Sequence, residues 1–248
     1  MKFNNKTIIV TGGSSGIGAA IVEAFADQKP NIVICYRKNE AAAKKVEKSA
    51  QAKGVKTLLF KGDLAKESEI KELFAKTMDA FGTVDLLVNV AGGAYSAGVI
   101  PDTTRDHWIQ LFDDNLFSAV LCSQEAVKIM RNQDDLGKII NISSVLGEMR
   151  GGRQGIIAYS AAKAALINFT QTLAKQEAPK ILVNTVSPGR TKTPYYDTFD
   201  EEKLKELLAP NIIGRFIKPS EIADAVLFVA QNDAMTGELV TVSGGFFL

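Results

Sequence analysis

Tyr159 and Lys163 stand four residues apart in "YSAAK", and Ser143 and Ser144 precede them in "NISSVLG". On a helix the i and i+4 side chains share one face, so a phenol and an ammonium at this spacing point into the same space. A neighbouring cation favours the phenolate and lowers a tyrosine pKa from about 10 toward neutrality, where the group serves as general acid or base. The pair also arises by chance on solvent-facing helices, so its weight depends on its company. A second stretch, "TGGSSGIG" at 11–18, lies between the apolar run "TIIV" and the helical "AAIVEAFADQ". There Gly12 can turn through backbone angles closed to other residues, Gly16 lets the chain approach a ligand, and Gly18 lets a helix pack close to a strand. The helix N-terminus then offers free N–H groups and a positive dipole end to a pyrophosphate. The spacing is Gly-x-x-x-Gly-x-Gly rather than the widespread Gly-x-Gly-x-x-Gly, and alone it fits a structural turn as well as a nucleotide site.

Both motifs need a scaffold, and the chain supplies one. Short β-branched runs, "TIIV", "NIVICY", "KTLLF", "VDLLVNV", "GKIINIS", "ILVNTVS" and "ELVTVS", alternate with amphipathic or alanine-rich stretches. That alternation predicts βαβ units in an α/β, Rossmann-like, doubly wound parallel sheet of about seven strands, with helices on both faces and right-handed crossovers. At 248 residues, 46% hydrophobic and 23% charged, one domain spanning 1–248 is expected. The irregular "PGRTKTPYYDTFD", the charged "EEKLKELL" and "APNIIGRFIKPSE" make residues 190–218 too long for a plain connector, and we read them as a substrate-loop excursion.

Composition narrows the function classes. A net charge of +1 without a basic run argues against nucleic acid or an anionic membrane surface as partner. The amino terminus lacks a signal-length apolar segment and no later run reaches a membrane span, so a cytoplasmic protein is expected. Cys35 and Cys122 read as small buried apolar residues, and a single histidine, His107, cannot supply a multi-histidine metal site, so no metal is expected.

With "TGGSSGIG", "NVAG" at 89–92, Asn115 in "FDDNLFS", "NISS", "YSAAK" and "SPGRTKT" at 187–193 in this order, the chain resembles the short-chain dehydrogenase/reductase family, on its 3-oxoacyl-reductase-like side. The likeness runs from the first strand to "VTVSGGFFL". It implies reversible hydride transfer between a nicotinamide cofactor and a carbonyl or alcohol substrate. Under it Tyr159 is the proton donor, Lys163 binds the nicotinamide ribose and depresses the Tyr159 pKa, Ser144 holds the substrate oxygen with Ser143 a structural neighbour, and Asn115 interrupts a helix and holds a relay water. The cofactor would lie along Gly12, Ser14, Gly16, Ile17 and Gly18, with Asp63 and Leu64 beside the adenine. Asn89, Ala91 and Gly92 would follow the ribose, and Pro188, Gly189, Thr191 and Thr193 would hold the carboxamide. Val90 departs from the family's "NNAG" in a supporting segment. Family members assemble through helices matching "DHWIQLFDDNLFSAVLCSQEAVKIM" and "AYSAAKAALINFTQTLAKQ", which implies a homotetramer.

After the second strand stand Tyr36, Arg37 and Lys38, with no carboxylate where an NAD-binding chain carries one. A guanidinium there suits the extra phosphate, so NADP(H) is expected to be preferred, with NAD(H) possible. The segment between Ser144 and Tyr159, "VLGEMRGGRQGIIA", is about two residues longer than usual in the family. Its Arg150 and Arg153 are either solvated loop charges or contacts for an acidic substrate group. Asp134 and Asp135 stand where reductases of acyl carrier protein often show a basic cluster, which makes an acidic carrier a poorer fit. Ala94, Tyr95, Tyr195, Tyr196 and Phe199 are expected in the pocket walls. An NAD-linked alcohol or sugar dehydrogenase and a non-catalytic dinucleotide sensor are the alternatives; a sensor would be expected to lose Tyr159, Lys163 or Ser144.

Overall fold

A computed structural model of the chain describes residues 2–93, 98–209 and 211–248. Seven parallel strands form one sheet in the order β3-β2-β1-β4-β5-β6-β7: β1 (Thr7–Val10), β2 (Asn31–Tyr36), β3 (Thr57–Lys61), β4 (Leu86–Asn89), β5 (Gly137–Ile142), β6 (Ile181–Pro188) and β7 (Leu239–Val242). Each apolar run read from the sequence is one of these strands. The burial of β1, β2, β4, β5 and β6 follows from cover on both faces, while the edge strands β3 and β7 are only partly covered. On one side α1 (Gly16–Ala26), α2 (Glu40–Ala52) and α8 (Pro219–Gln231) seal Ile8, Val10, Ile32, Ile34 and Val88. On the other, α3 (Glu67–Phe81), α5 (Ser118–Met130) and α6 (Ile157–Glu177) pack on Ile9, Val33, Leu87, Ile139 and Val183. Cys35 and Cys122 are free and buried in this second layer, where desolvation pushes both thiols up, Cys122 to about 12.

The sheet order reverses between β1 and β4. In an open α/β sheet this switch point leaves a crevice beyond the carboxyl ends of the strands, and ligands bind there. Thr11 fixes its floor: its Oγ1 accepts from the Val90 and Ala91 backbone N–H groups at 2.9 and 3.0 Å, tying the glycine turn to the segment after β4. On β5 the fully buried Lys138 donates to the Ala230 and Asn232 carbonyls, each at 2.8 Å, and pairs with Asp233 at 2.7 Å. It thus closes the carboxyl end of α8, where cations are favoured.

His107, improbable as a catalyst from its helix-start position, completes a capping box with Thr104 at the head of α4 (Arg105–Phe112). The 190–218 segment is more ordered than a bare excursion. It contains a 3-10 turn over Pro194–Thr198 and α7 (Glu201–Leu208), a bridge pairs Thr191 with Ile217, and Tyr196 packs on Phe216 with ring centroids 4.7 Å apart. No helix among the described residues is long and apolar enough to cross a membrane.

Candidate active site

Two adjoining cavities occupy the crevice. The larger, about 480 Å³, runs from the glycine turn to the ends of β2 and β3, and the smaller, about 250 Å³, lies over the ends of β5 and β6. Ile17, Val90, Gly92, Thr193 and Tyr195 line both, so the two form one cleft.

The larger cavity has the chemistry of a dinucleotide cradle. Gly12 has φ +63°, in the left-handed region, and a Cβ on Gly18 would lie 2.2 Å from the Gly12 carbonyl oxygen. Only glycine fits the second position without moving backbone. The first turn of α1 carries no acidic residue, and no side chain caps its N–H groups. Ser14, Gly16 and Ile17 complete this wall, while Tyr36, Arg37, Lys38, Asp63 and Leu64 line the far end. Backbone N–H groups at a positive dipole end, beside a slot of this length, fit a pyrophosphate and its adenosine arm. Arg37 is not a solitary charge: its guanidinium meets Asp114 at 2.9 Å and Asp63 at 3.7 Å across the cavity mouth. Asp114 had no sequence signal, because its meeting with Arg37 arises only where β2 and the α4–α5 junction come together.

The smaller cavity gathers Asn115, Ser144, Tyr159 and Lys163. Tyr159 and Lys163 lie on α6 as the i, i+4 spacing predicts. Ser144 sits just past β5, and Ser143 beside it donates to the Lys163 carbonyl at 2.9 Å, the structural part expected of it. Gly147 allows the post-β5 turn to seat on α6, since a Cβ there would come within 2.6 Å of Lys163 backbone. Asn115 falls in a π-helical turn, Asp113–Phe117, between α4 and α5. Its amide donates to the Leu111 and Gly93 carbonyls, both at 3.0 Å, and accepts from the Gly93 N–H at 3.1 Å. The helix interruption is therefore real, and it locks Asn115 to the loop that floors the cleft.

The protonation picture differs from the simple pairing argument. Burial pushes Tyr159 up to about 12, opposed by a hydrogen bond with Ser144. The Lys163 ammonium donates to the Ile142 carbonyl at 2.9 Å and lies 5.8 Å from the centre of the Tyr159 ring. It thus sits beside the ring, and burial draws Lys163 itself down to about 8. The phenol is a neutral donor here, with a depressed-pKa ammonium next to it.

Other expected residues divide. Pro188, Gly189, Thr191 and Thr193 line the smaller cavity, and Ala91 and Gly92 line the larger. Asn89 does not reach the cleft. Its amide turns inward to Asn141 at 2.9 Å and Ser123 at 3.2 Å, linking β4, β5 and α5. Since it ends a strand covered on both faces, its side chain takes the inward alternation and acts as a sheet-to-helix tie. Tyr195 and Tyr196 line the smaller cavity, whereas Phe199 stacks on both tyrosines and Ala94 and Tyr95 lie outside the described residues. The two loop arginines part company: Arg153 lines the smaller cavity and Arg150 is exposed away from it. Arg190, buried in the same cavity wall, was hidden inside the "SPGRTKT" motif.

A parallel sheet with this switch point, a glycine cradle and a Tyr-Lys-Ser-Asn pocket define a dinucleotide-linked oxidoreductase site. The chain belongs to the short-chain dehydrogenase/reductase family: residues 12–247 match the family model described as Enoyl-(Acyl carrier protein) reductase. A diacetyl reductase of the (S)-acetoin-forming type from Staphylococcus epidermidis is 35% identical over 97% of this chain and 98% of its own. A 3-oxoacyl-[acyl-carrier-protein] reductase from the same species is 32% identical over 98% of this chain and 100% of its own. Among solved structures, a short-chain dehydrogenase from Burkholderia cenocepacia in complex with NADP superposes with a TM-score of 0.91 at 30% identity, each chain covered in full. A short-chain dehydrogenase/reductase mutant from Serratia marcescens gives 0.92 at 31%, again with full coverage of both.

Proposed function

We propose that this chain is an NADP(H)-dependent reductase of small carbonyl compounds, working through Tyr159, Lys163, Ser144 and Asn115. One observation carries the reading: these four side chains converge on one cavity of about 250 Å³ that opens into the glycine-lined cleft. The nicotinamide group supplies the hydride when bound. Gly12, Ser14, Gly16, Ile17 and Gly18 would hold the pyrophosphate, Asp63 and Leu64 the adenine end, Ala91 and Gly92 the ribose side, and Pro188, Gly189, Thr191 and Thr193 the carboxamide. The chain's own work is orientation and proton movement.

Ser144 and Tyr159 line the same cavity, so their hydroxyls can grip one carbonyl oxygen from two sides. As that oxygen gains negative charge, the Tyr159 proton moves onto it, which makes the residue a general acid in reduction. The phenolate left behind stands beside Lys163, whose charge favours it, and the neutral phenol is restored through that ammonium. Asn115, fixed by three hydrogen bonds at the π-helical turn, holds the cleft floor at which the relay begins.

Arg37 and Lys38 at the end of β2 support NADP(H), since a guanidinium suits a phosphate monoester. The Arg37–Asp114 pair favours the second reading, an NAD-linked dehydrogenase, because an engaged guanidinium has less to offer that phosphate. For assembly we propose a homotetramer: Ile109 and Phe117 stand exposed on the α4–α5 face, where twofold packing would cover them.

The test is a panel of ketones, aldehydes, diketones, sugars and β-ketoacyl thioesters, each followed by loss of reduced-nicotinamide absorbance with NADPH and with NADH. Turnover of a small carbonyl compound with NADPH ahead of NADH is the expected result. No turnover with either cofactor contradicts the reading.

A further inference from the structure

We propose that Arg153 and Arg190 bind a carboxylate carried by the substrate, so that the compound reduced is a short oxo acid. This rests on the carbonyl-reductase reading and adds the chemical class.

Both guanidinium groups line the smaller cavity together with Tyr159, Ser144 and Lys163. They come from different segments, Arg190 from the turn after β6 and Arg153 from the glycine-rich segment between β5 and α6. Neither side chain makes a hydrogen bond or ion pair with any described residue, and the Nε of each is buried without a partner. The contrast within the chain is sharp: Arg131 grips Glu177 with two hydrogen bonds at 2.8 and 2.6 Å, and Arg215 grips Glu221 at 2.8 and 2.7 Å. Arg190 is buried and Arg153 half-buried, and a buried guanidinium nitrogen left without an acceptor is costly, so a site that keeps one on each arginine beside its reacting groups is complementary to an anion.

The nearby carboxylates are engaged elsewhere. Glu148 accepts from the Thr241 hydroxyl at 2.8 Å. Glu206 on α7 pairs with Lys203, its carboxyl held down first by that lysine and only then by the charges of Arg153 and Arg190. Two planar forks match the two oxygens of a carboxylate. The cavity of about 250 Å³ must also admit the nicotinamide carboxamide beside Pro188, Gly189, Thr191 and Thr193, so the space left suits a compound of a few carbons whose carbonyl reaches Tyr159 while its acid end meets the arginines. Glycine shapes the loop that carries Arg153: a Cβ on Gly151 would lie 1.9 Å from the Val145 carbonyl oxygen, so glycine there lets the chain fold back toward the site.

The experiment compares acetoacetate and levulinate with their methyl esters at saturating NADPH, using wild type, Arg153→Met and Arg190→Met. The expected wild-type kcat/KM favours the acids by about tenfold or more, the size of one charge-assisted contact, and each variant lowers the acid-to-ester ratio by a similar factor. Equal use of acids and esters by the wild type, which needs no variant to fold, overturns the proposal while leaving the reductase reading intact. If no carbonyl compound is reduced, that reading fails and calorimetric titration decides the arginines. Levulinate binding the NADP-loaded protein in preference to its methyl ester, with loss in Arg190→Met, upholds the carboxylate site. Equal binding of the two, or tighter binding by inorganic phosphate, overturns it.

Discussion

Lys163 is held at a free-energy cost that can be measured without any substrate. Its ordinary pKa of 10.5 is drawn down to about 8 by burial on α6. Because the folded value lies below the unfolded one, the unfolded chain binds more protons between these values, and stability rises with pH across that window. At pH 7 both states are charged and the folded protein bears the full cost, about 3 kcal/mol at about 1.4 kcal/mol per pKa unit. By about pH 9.5 roughly 2 kcal/mol of this is recovered. Lys163→Met keeps the length of the side chain and removes the titrating group. Urea unfolding of both proteins without cofactor, at pH 7 and about pH 9.5, gives the two stability differences. Their comparison cancels the pH-independent loss of the hydrogen bond to Ile142. We expect wild type to gain roughly 2 kcal/mol on Lys163→Met across that interval. A difference that stays constant with pH would mean that Lys163 titrates as a solvated amine and carries no burial cost.

Gly18→Val places a side chain against Gly12 backbone, where even a Cβ would lie 2.2 Å from the carbonyl oxygen, so cofactor affinity measured by fluorescence titration should fall by an order of magnitude or more. Lys138→Met leaves the buried Ala230 and Asn232 carbonyls at the end of α8 without their donor; we expect a loss of about 3 kcal/mol, or roughly 10 °C in melting temperature, with KM for substrate unchanged. Arg37→Ala should lower the preference for NADPH over NADH by about tenfold in kcat/KM, and an unchanged ratio would place Arg37 in service of Asp114 alone.

The central strands were legible because a sheet covered on both faces demands near-continuous apolar runs, and the partly covered edge strands β3 and β7 showed through their β-branched and aromatic residues between turns. Of the four proposed catalytic residues, the Tyr159–Lys163 pairing was legible through helix register, whereas Ser144 and Asn115 came only with the family resemblance. What the sequence concealed are contacts between distant segments. The Arg37–Asp114 pair joins residues 77 apart in the chain, and the inward turn of Asn89 toward Asn141 depends on which strand lies next to β4. Arg190 was concealed differently, inside a motif read for its neighbours. Tyr159 is raised rather than lowered because helix spacing brings the ammonium to the ring without revealing how dry the pocket is.

The central claim is that the Tyr159 hydroxyl delivers the proton. Tyr159→Phe keeps the ring against Lys163 and Ile156 and removes only that oxygen. Steady-state turnover of the best substrate from the carbonyl panel, beside NADPH affinity by fluorescence titration, tests the claim directly. If Tyr159 is the proton donor, kcat falls by about a hundredfold to ten-thousandfold with cofactor affinity retained. Turnover within a few-fold of wild type would contradict it.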